Sequence, residues 1–157
     1  MREWIDVWDD DFQPVFWEAK RAMLRAAEEV LNEHGVREGQ QFILMCLWAQ
    51  DGLAPGEIAR RLGLATPTVT RTATRMATAG LVERRPDPAD ARVTRIYLTE
   101  RGRDLRDPLN AAMRAMSERA MGGMTADEQA TLVDLLRRLR ANLDADGDGA
   151  RTNHPSD

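Results

Sequence analysis

The segment 55–98 constrains the fold of this chain more than any other part of the sequence. Residues 56–62 place apolar side chains at helical spacing on one face. Gly63 follows where a chain leaving a helix needs a left-handed residue. Thr66 or Thr68 then offers a hydroxyl that can cap a second helix. These signals predict two short helices joined by a tight turn.

A hairpin is predicted directly after the second helix, which we expect to end near residues 78–80. Residues 81–85 and 93–98 are short stretches with β-branched or alternating side chains, and the turn-forming segment 86–91 lies between them. An arginine on a projecting loop, such as Arg92, can enter a narrow minor groove, where the negative potential is enhanced. Two helices followed by a basic hairpin form a winged helix-turn-helix.

The second helix of this motif has two chemically different faces. Its apolar stripe consists of Val69, Ala73, Met76 and Ala77. The other face carries hydroxyls and guanidinium groups, namely Thr68, Thr70, Arg71, Thr72 and Arg75. Hydroxyls bind phosphates, and an arginine can bind two acceptors of guanine at once. This face is therefore suited to a DNA groove.

The distribution of charge supports the same interpretation, although the overall charge does not. The net charge of −4 argues against a general nucleic-acid binder. Residues 54–106, however, contain eleven arginines and only six acidic residues, whereas both flanking regions are acidic. A basic centre between acidic flanks is typical of a local DNA-binding face. A solvated helix surface of mixed charge is the simpler alternative, and charge alone does not decide between them.

Taken together, these residues resemble the core of the MarR family of bacterial transcriptional regulators. The resemblance rests on the run TPTVTR at the start of the second helix and on the run GLVER that leads into the hairpin. It also rests on the Asp-x-Arg formed by Asp90 and Arg92 and on the exit LTERG. It covers nearly the whole chain, because the family also has long helices before and after the motif.

The remaining helices predict a dimer. Residues 9–34 and 100–143 carry long apolar stripes. A second copy could bury them in a two-fold bundle, and the resemblance implies the same arrangement. Trp4 and Trp8 are interpreted as interface packing. The predicted fold is mostly α with a small β-wing. It consists of a single domain over 1–143, in which residues 55–98 form the winged helix-turn-helix and the long helices dimerise, followed by an acidic flexible tail over 144–157.

Local signals subdivide the C-terminal helices. Thr99 is expected to cap the first of them. Pro108 should kink or restart the helix, and the glycines at 122–123 should break it. Thr125 and Glu128 form a capping box for the last helix.

The resemblance suggests how the motif would bind DNA. We assign Thr68, Thr70 and Arg71 to the major groove, with Thr66 and Pro67 fixing where the helix enters it. The remaining contacts are assigned to the backbone and the wing: Arg75, Arg84 and Arg85 to phosphates, and Arg92 to the minor groove, held by Asp90 through a charge-assisted hydrogen bond. Two such helices in a dimer predict a pseudo-palindromic operator on double-stranded DNA.

The resemblance also implies a small-molecule effector between the dimerisation helices and the DNA-binding lobe, usually a phenolic or other lipophilic anion. The candidate lining residues are Trp17, Met23, His34, Met45, Trp48 and Met113, although plain core packing is the simpler interpretation of each. Urate-sensing members have an acidic residue where Gln41 stands and an arginine where Thr72 stands. These departures argue against urate.

Cys46 lies in the apolar segment 40–50, which predicts a buried helix. Burial without a basic sequence neighbour makes a thiol inert. This argues against a redox-responsive regulator acting through Cys46, which stays an alternative. A second alternative is a winged-helix module that binds protein.

Catalytic and metal-binding patterns are missing from the sequence. It has two histidines and one cysteine, with no metal-ligand spacing, phosphate-binding glycine loop or nucleophile elbow. We therefore predict no enzyme, no metal and no cofactor. No signal peptide or membrane span is visible, so a cytoplasmic protein is expected. The function predicted is a homodimeric repressor that binds DNA and is released by a small aromatic or lipophilic ligand.

Overall fold

A computed structural model of the chain describes residues 9–149, with side chains described through residue 145. Trp4, Trp8 and the last eight residues of the predicted tail lie outside the described residues. The described elements are α1 (Phe12–Glu33), α2 (Gln40–Ala49), α3 (Pro55–Leu62), α4 (Thr66–Thr78), β1 (Val82–Pro86), β2 (Thr94–Leu98), α5 (Glu100–Asp104), α6 (Arg106–Ala120) and α7 (Ala126–Gly149). The predicted fold class, mostly α with a small β-wing, is confirmed.

The helix-turn-helix consists of α3 and α4. Helix α3 begins at Pro55, and the carboxylate of Glu57 accepts the backbone N–H of Ala54 over 2.7 Å. It ends at Gly63, whose φ of 64° is the left-handed conformation expected there. The predicted threonine cap of α4 is wrong. The helix is capped by Ala65, whose carbonyl oxygen accepts the backbone N–H of Thr68 over 3.0 Å, so the chain is already helical at Thr66.

The wing is an antiparallel hairpin of β1 and β2 in which Val82 is paired with Leu98 and Pro86 with Thr94. Each strand begins one residue later than the sequence predicts. Leu53 adds an isolated bridge to Ile96, with the N–H of Ile96 donating to its carbonyl oxygen over 2.9 Å. The hairpin is therefore attached to the chain between α2 and α3.

The core lies where α2, α3, α4 and the base of the wing meet. Its largest fully buried side chains are Leu31, Ile43, Leu44, Leu47, Leu53, Ile58, Met76, Leu81, Ile96, Val36 and Val69. Burial of aliphatic groups on this scale is the main stabilising term for a small fold. Helix α2 is less buried than predicted, because Phe42 and Met45 are 49% and 58% exposed.

The helix signals after the wing are confirmed. The side chain of Thr99 accepts the N–H of Gly102, α6 restarts at Arg106 with Pro108 in its first turn, and Thr125 and Glu128 bond reciprocally. The predicted boundary at 144 is not where α7 ends, because the helix continues to Gly149. The aspartates and glycines of 144–149 lower helix propensity without stopping the helix.

The described residues fall into two compact units, which divide after Ser117. Most large aliphatic side chains of α7, in the second unit, are exposed, namely Leu132, Val133, Leu135, Leu136 and Leu143. Among the described residues, no helix combines the length and the apolar character that crossing a membrane requires.

Candidate nucleic-acid interface

Helix α4 presents a polar face to solvent. Val69, Ala73 and Met76 are completely buried beneath it, which fixes the rotation of the helix against the core. The exposed polar side chains of this helix include Thr68, Arg71, Thr74 and Arg75. Thr70 and Thr72, which were also predicted for this face, are half-buried. The two faces predicted from helical spacing are therefore present.

The threonines along α4 bond to the helix itself. The hydroxyl of Thr70 donates to the carbonyl oxygen of Thr66 over 3.1 Å, and that of Thr74 donates to the carbonyl oxygen of Thr70 over 2.9 Å. Thr78 repeats the pattern with Thr74 over 3.2 Å. We call these three bonds the threonine ladder. Back-bonding of this kind is usual for Thr inside a helix, and it commits these hydroxyl protons to the backbone.

Arg84 joins the wing to α4. Its Nη1 donates to the hydroxyl oxygen of Thr74 over 3.3 Å, although the side chain remains exposed. Its neighbour Arg85 pairs with Glu83, and the guanidinium carbon of Arg85 lies 5.1 Å from the centroid of the Tyr97 ring. Two of the arginines predicted to contact phosphates thus lie on β1, and one of them, Arg84, contacts the polar face of α4.

Asp90 and Arg92 lie at the tip of the wing. Oδ1 of Asp90 accepts the backbone N–H of Arg92 over 3.1 Å and its side-chain Nε over 3.2 Å. The side chain of Arg92 is 92% exposed. The Asp-x-Arg pattern therefore forms a local clamp in which the guanidinium projects into solvent.

Asp87 and Arg95 form a pair that sequence reasoning missed. Nε of Arg95 donates to Oδ2 of Asp87, and its Nη1 donates to the carbonyl oxygen of Gly52 over 2.9 Å. The guanidinium of Arg95 holds the pKa of Asp87 below its ordinary value of 3.8. Backbone donors in the loop act in the same direction. The Asp-Pro dipeptide at 87–88 is a turn signal, but nothing in the sequence indicates that its partner is Arg95.

The six predicted effector residues differ in their exposure and in their hydrogen-bond partners. Trp17, Met23 and Met45 are exposed, whereas Met113 packs against the core. Nδ1 of His34 lies 2.8 Å from the carbonyl oxygen of Val30, and Nε1 of Trp48 donates to the carbonyl oxygen of Gly102 over 2.9 Å. Trp48 lines an open cleft of about 330 Å³ together with Leu47, Asp51, Leu98, Arg103 and Arg106.

Comparison with known proteins identifies the family. A model of the MarR family matches residues 37–94, which include α3, α4 and most of the wing. The HTH-type transcriptional regulator TtmR of Methylorubrum extorquens (strain PA1) is 35% identical over 127 residues. That alignment covers 81% of this chain and 64% of TtmR. The chain belongs to the MarR family.

Other relatives agree with this assignment. The HTH-type transcriptional repressor NicR of Pseudomonas putida is 30% identical over 100 residues, which cover 63% of each protein. A mutant MarR from E. coli complexed with operator DNA has a TM-score of 0.67 at 25% identity, covering 80% of this chain and 90% of that one. The chain spans just under two thirds of the lengths of TtmR and NicR. The family and these relatives are transcriptional regulators and not enzymes, as predicted.

Cys46 of this MarR-family chain is half-buried in α2. Desolvation raises the pKa of its thiol above the ordinary value of 9.0, and the charge of Arg61 partly opposes the shift. The sequence indicated no basic neighbour, because Arg61 becomes one only through the fold. The net direction still favours an inert thiol. Among the described residues, no group of three or more His, Cys, Asp or Glu side chains could hold a metal ion.

Proposed function

We propose that the protein is a homodimeric repressor of the MarR family that binds a pseudo-palindromic operator. The observation that carries the proposal is the contact of Arg84 with Thr74, which unites the polar face of α4 and the basic wing in one continuous surface. A helix for the major groove beside a wing for the minor groove is suited to binding duplex DNA. The proposed site of action is the cytoplasm.

The proposed contacts follow from the position of each residue on this surface. Thr68, Thr70 and Arg71 face the base edges of the major groove, and Thr66 and Pro67 set where the helix enters. Phosphate contacts are assigned to three arginines at the margins of this surface, Arg75, Arg84 and Arg85. At the wing tip, the 92% exposed side chain of Arg92 is free of the protein surface except for its bonds to Asp90, which suits insertion into a minor groove.

A homodimer is proposed because the long helices expose apolar side chains that a soluble monomer would not need. In α1 these are Phe12, Val15, Trp17, Met23 and Leu24, each between 39% and 66% exposed. In α7 they include Leu136 and Leu143, at 48% and 66%. A second copy of the chain would bury these stripes and place two α4 helices on one DNA duplex. The similarity to NicR, which is named a repressor, supports the proposal that the protein represses transcription and does not activate it.

Release by a small aromatic or lipophilic ligand is the proposed regulation. The exposed Trp17, Met23 and Met45 offer apolar surface on helices α1 and α2 that a ligand and a second chain could share. A ligand bound there would favour one spacing of the two α4 helices over another, which shifts the population of DNA-binding dimers. Oxidation of Cys46 is the alternative signal.

A mobility-shift titration tests the DNA-binding proposal. The probe is the intergenic DNA beside the protein's own gene, titrated at several salt concentrations with a scrambled duplex as competitor. The proposal expects a shift that the scrambled duplex does not compete and that weakens steeply as salt rises. Failure to shift any fragment of a genomic library would overturn the proposal and favour the protein-binding module.

A further inference from the structure

The wing loop, residues 87–93, is organised around the carboxylate of Asp87. Oδ1 of Asp87 accepts the backbone N–H of Ala89 over 2.7 Å and that of Asp90 over 3.3 Å. The backbone N–H of Asp87 donates to the carbonyl oxygen of Val93 over 2.7 Å, which closes the loop. Only 10% of the Asp87 side chain is exposed. The loop that carries Arg92 is thus folded around a nearly buried carboxylate.

Arg95 connects that carboxylate to a different part of the protein. While its Nε binds Asp87, its Nη1 contacts the carbonyl oxygen of Gly52 at 2.9 Å and Oε2 of Glu57 at 3.4 Å. Gly52 lies in the corner between α2 and α3, and Glu57 is in the first turn of α3. One guanidinium therefore spans the wing loop and the helix-turn-helix.

The corner is itself held rigidly against β2. Gly52 is buried with a φ of 72°, and a β-carbon there would lie 2.6 Å from the Tyr97 ring. Asp51 accepts the backbone N–H of Leu98 over 2.9 Å. A tether to this corner consequently joins the loop to a part of the protein that is closely packed against the base of the wing.

We propose that Asp87 and Arg95 are positioning residues that tether the wing loop to the α2–α3 corner and thereby fix the place of Arg92 relative to α4. The inference rests on the proposed DNA-binding function only for its consequence, since the tether itself belongs to the free protein. Arg95 does not serve as a phosphate contact. Its guanidinium is committed to Asp87, Gly52 and Glu57, and its side chain is 32% exposed against 92% for Arg92.

The first test measures amide hydrogen exchange in the wing loop of the free full-length protein. Arg95→Gln removes the charged tether, and Asp87→Asn weakens it while the amide oxygen can still accept from Ala89 and Asp90. Both should raise exchange at residues 89–93 by about tenfold, because opening of the loop no longer breaks a charge-assisted bond. Arg85→Gln is the matched control, since Arg85 lies directly opposite Arg95 in the hairpin and pairs with Glu83 instead.

The second test measures whether the effect of Arg92 on operator affinity depends on the tether. With Arg95 intact, Arg92→Ala is expected to weaken binding by about tenfold. In the Arg95→Gln background, the same change should cost less than about twofold, because a displaced loop no longer brings position 92 to the groove. Arg95→Lys, which keeps one charged bond, should restore part of the effect. A general loss of stability would lower all affinities but leave the ratio for Arg92 unchanged.

The outcomes separate this inference from the proposed function. If wild-type protein binds no DNA but loop exchange rises in both tether variants, the tether stands and the function fails. If loop exchange in Arg95→Gln equals that in Arg85→Gln, or if Arg92→Ala costs the same tenfold in both backgrounds, the tether is overturned whatever the protein binds. Thermal unfolding of each variant checks that it remains folded.

Discussion

Gly102 packs so closely on Leu81 that a β-carbon at position 102 would lie 2.1 Å from the carbonyl oxygen of Leu81. The same glycine offers its own carbonyl oxygen to the indole of Trp48 and its N–H to the hydroxyl of Thr99. The hydroxyl of Thr99 in turn donates to the carbonyl oxygen of Gly80 over 2.7 Å. The end of the helix-turn-helix, the base of the wing and the start of α5 therefore meet at one residue without a side chain.

Gly102→Ala should lower the free energy of unfolding by about 2–3 kcal/mol, because backbone atoms cannot move away as a flexible side chain would. Chemical denaturation of the full-length protein measures the effect. Gly56→Ala is the matched control, since Gly56 lies in α3 with nothing within 4 Å of an added β-carbon. That change should be neutral or stabilising by up to about 1 kcal/mol. Equal destabilisation by the two variants would contradict the close packing at Gly102.

Arg92→Ala should weaken operator binding. It should also reduce the magnitude of the slope of log K against log salt by about one, which corresponds to the loss of one ionic contact. Stability should not change, because the side chain is 92% exposed. Arg92→Lys keeps the charge and should retain the salt slope while losing part of the affinity, since lysine fills a narrow minor groove less well. If affinity and slope both survive in Arg92→Ala, the wing tip does not contact DNA.

Cys46 should react with iodoacetamide more slowly in the native protein than in the unfolded chain. Burial raises the pKa of the thiol above 9.0, so the reactive thiolate fraction at neutral pH falls below that of a free cysteine. The rate is compared in buffer and in denaturant, and it should rise as the pH approaches the raised pKa. Faster reaction in the native state would instead support a redox signal through this residue.

Leu136→Glu should shift the proposed dimer toward monomer in sedimentation experiments. Leu136 is 48% exposed in the single chain and belongs to the apolar stripe of α7, so a buried carboxylate would oppose association. Arg138→Glu is the control, because residue 138 lies about 200° around the helix from residue 136. A dimer that resists the first change as well as the second would place the interface elsewhere.

Much of the site could be predicted from local signals. The role of Gly63 can be predicted from the residue preferences of a helix end. The buried stripe of Val69, Ala73 and Met76 can be predicted from the helical period. Asp90 and Arg92 are two residues apart, so their clamp is also a local feature. The Arg95–Gly52 contact spans 43 residues and exists only once the hairpin is folded onto the core, which no periodicity reveals.

The errors have physical causes of the same kind. Ala65 caps α4 with its backbone alone. Thr66 is already part of the helix, so its hydroxyl is not at the N-cap position that the sequence predicted for it. The apolar segment 40–50 predicts that Phe42 and Met45 are buried. They are exposed because a single sequence does not distinguish a buried helix from one that also has apolar side chains on its surface.

The threonine ladder of α4 has a consequence for which base pairs the helix would favour. With the protons of Thr70 and Thr74 donated to the backbone, the outward chemistry at these positions consists of methyl groups and oxygen lone pairs. Guanine presents acceptors in the major groove, whereas thymine presents a methyl group and adenine and cytosine present amino hydrogens. Beneath Thr70, the half-site should therefore favour an A·T pair, which presents both a methyl group and an amino hydrogen, whereas the guanine of a G·C pair should be read by Arg71.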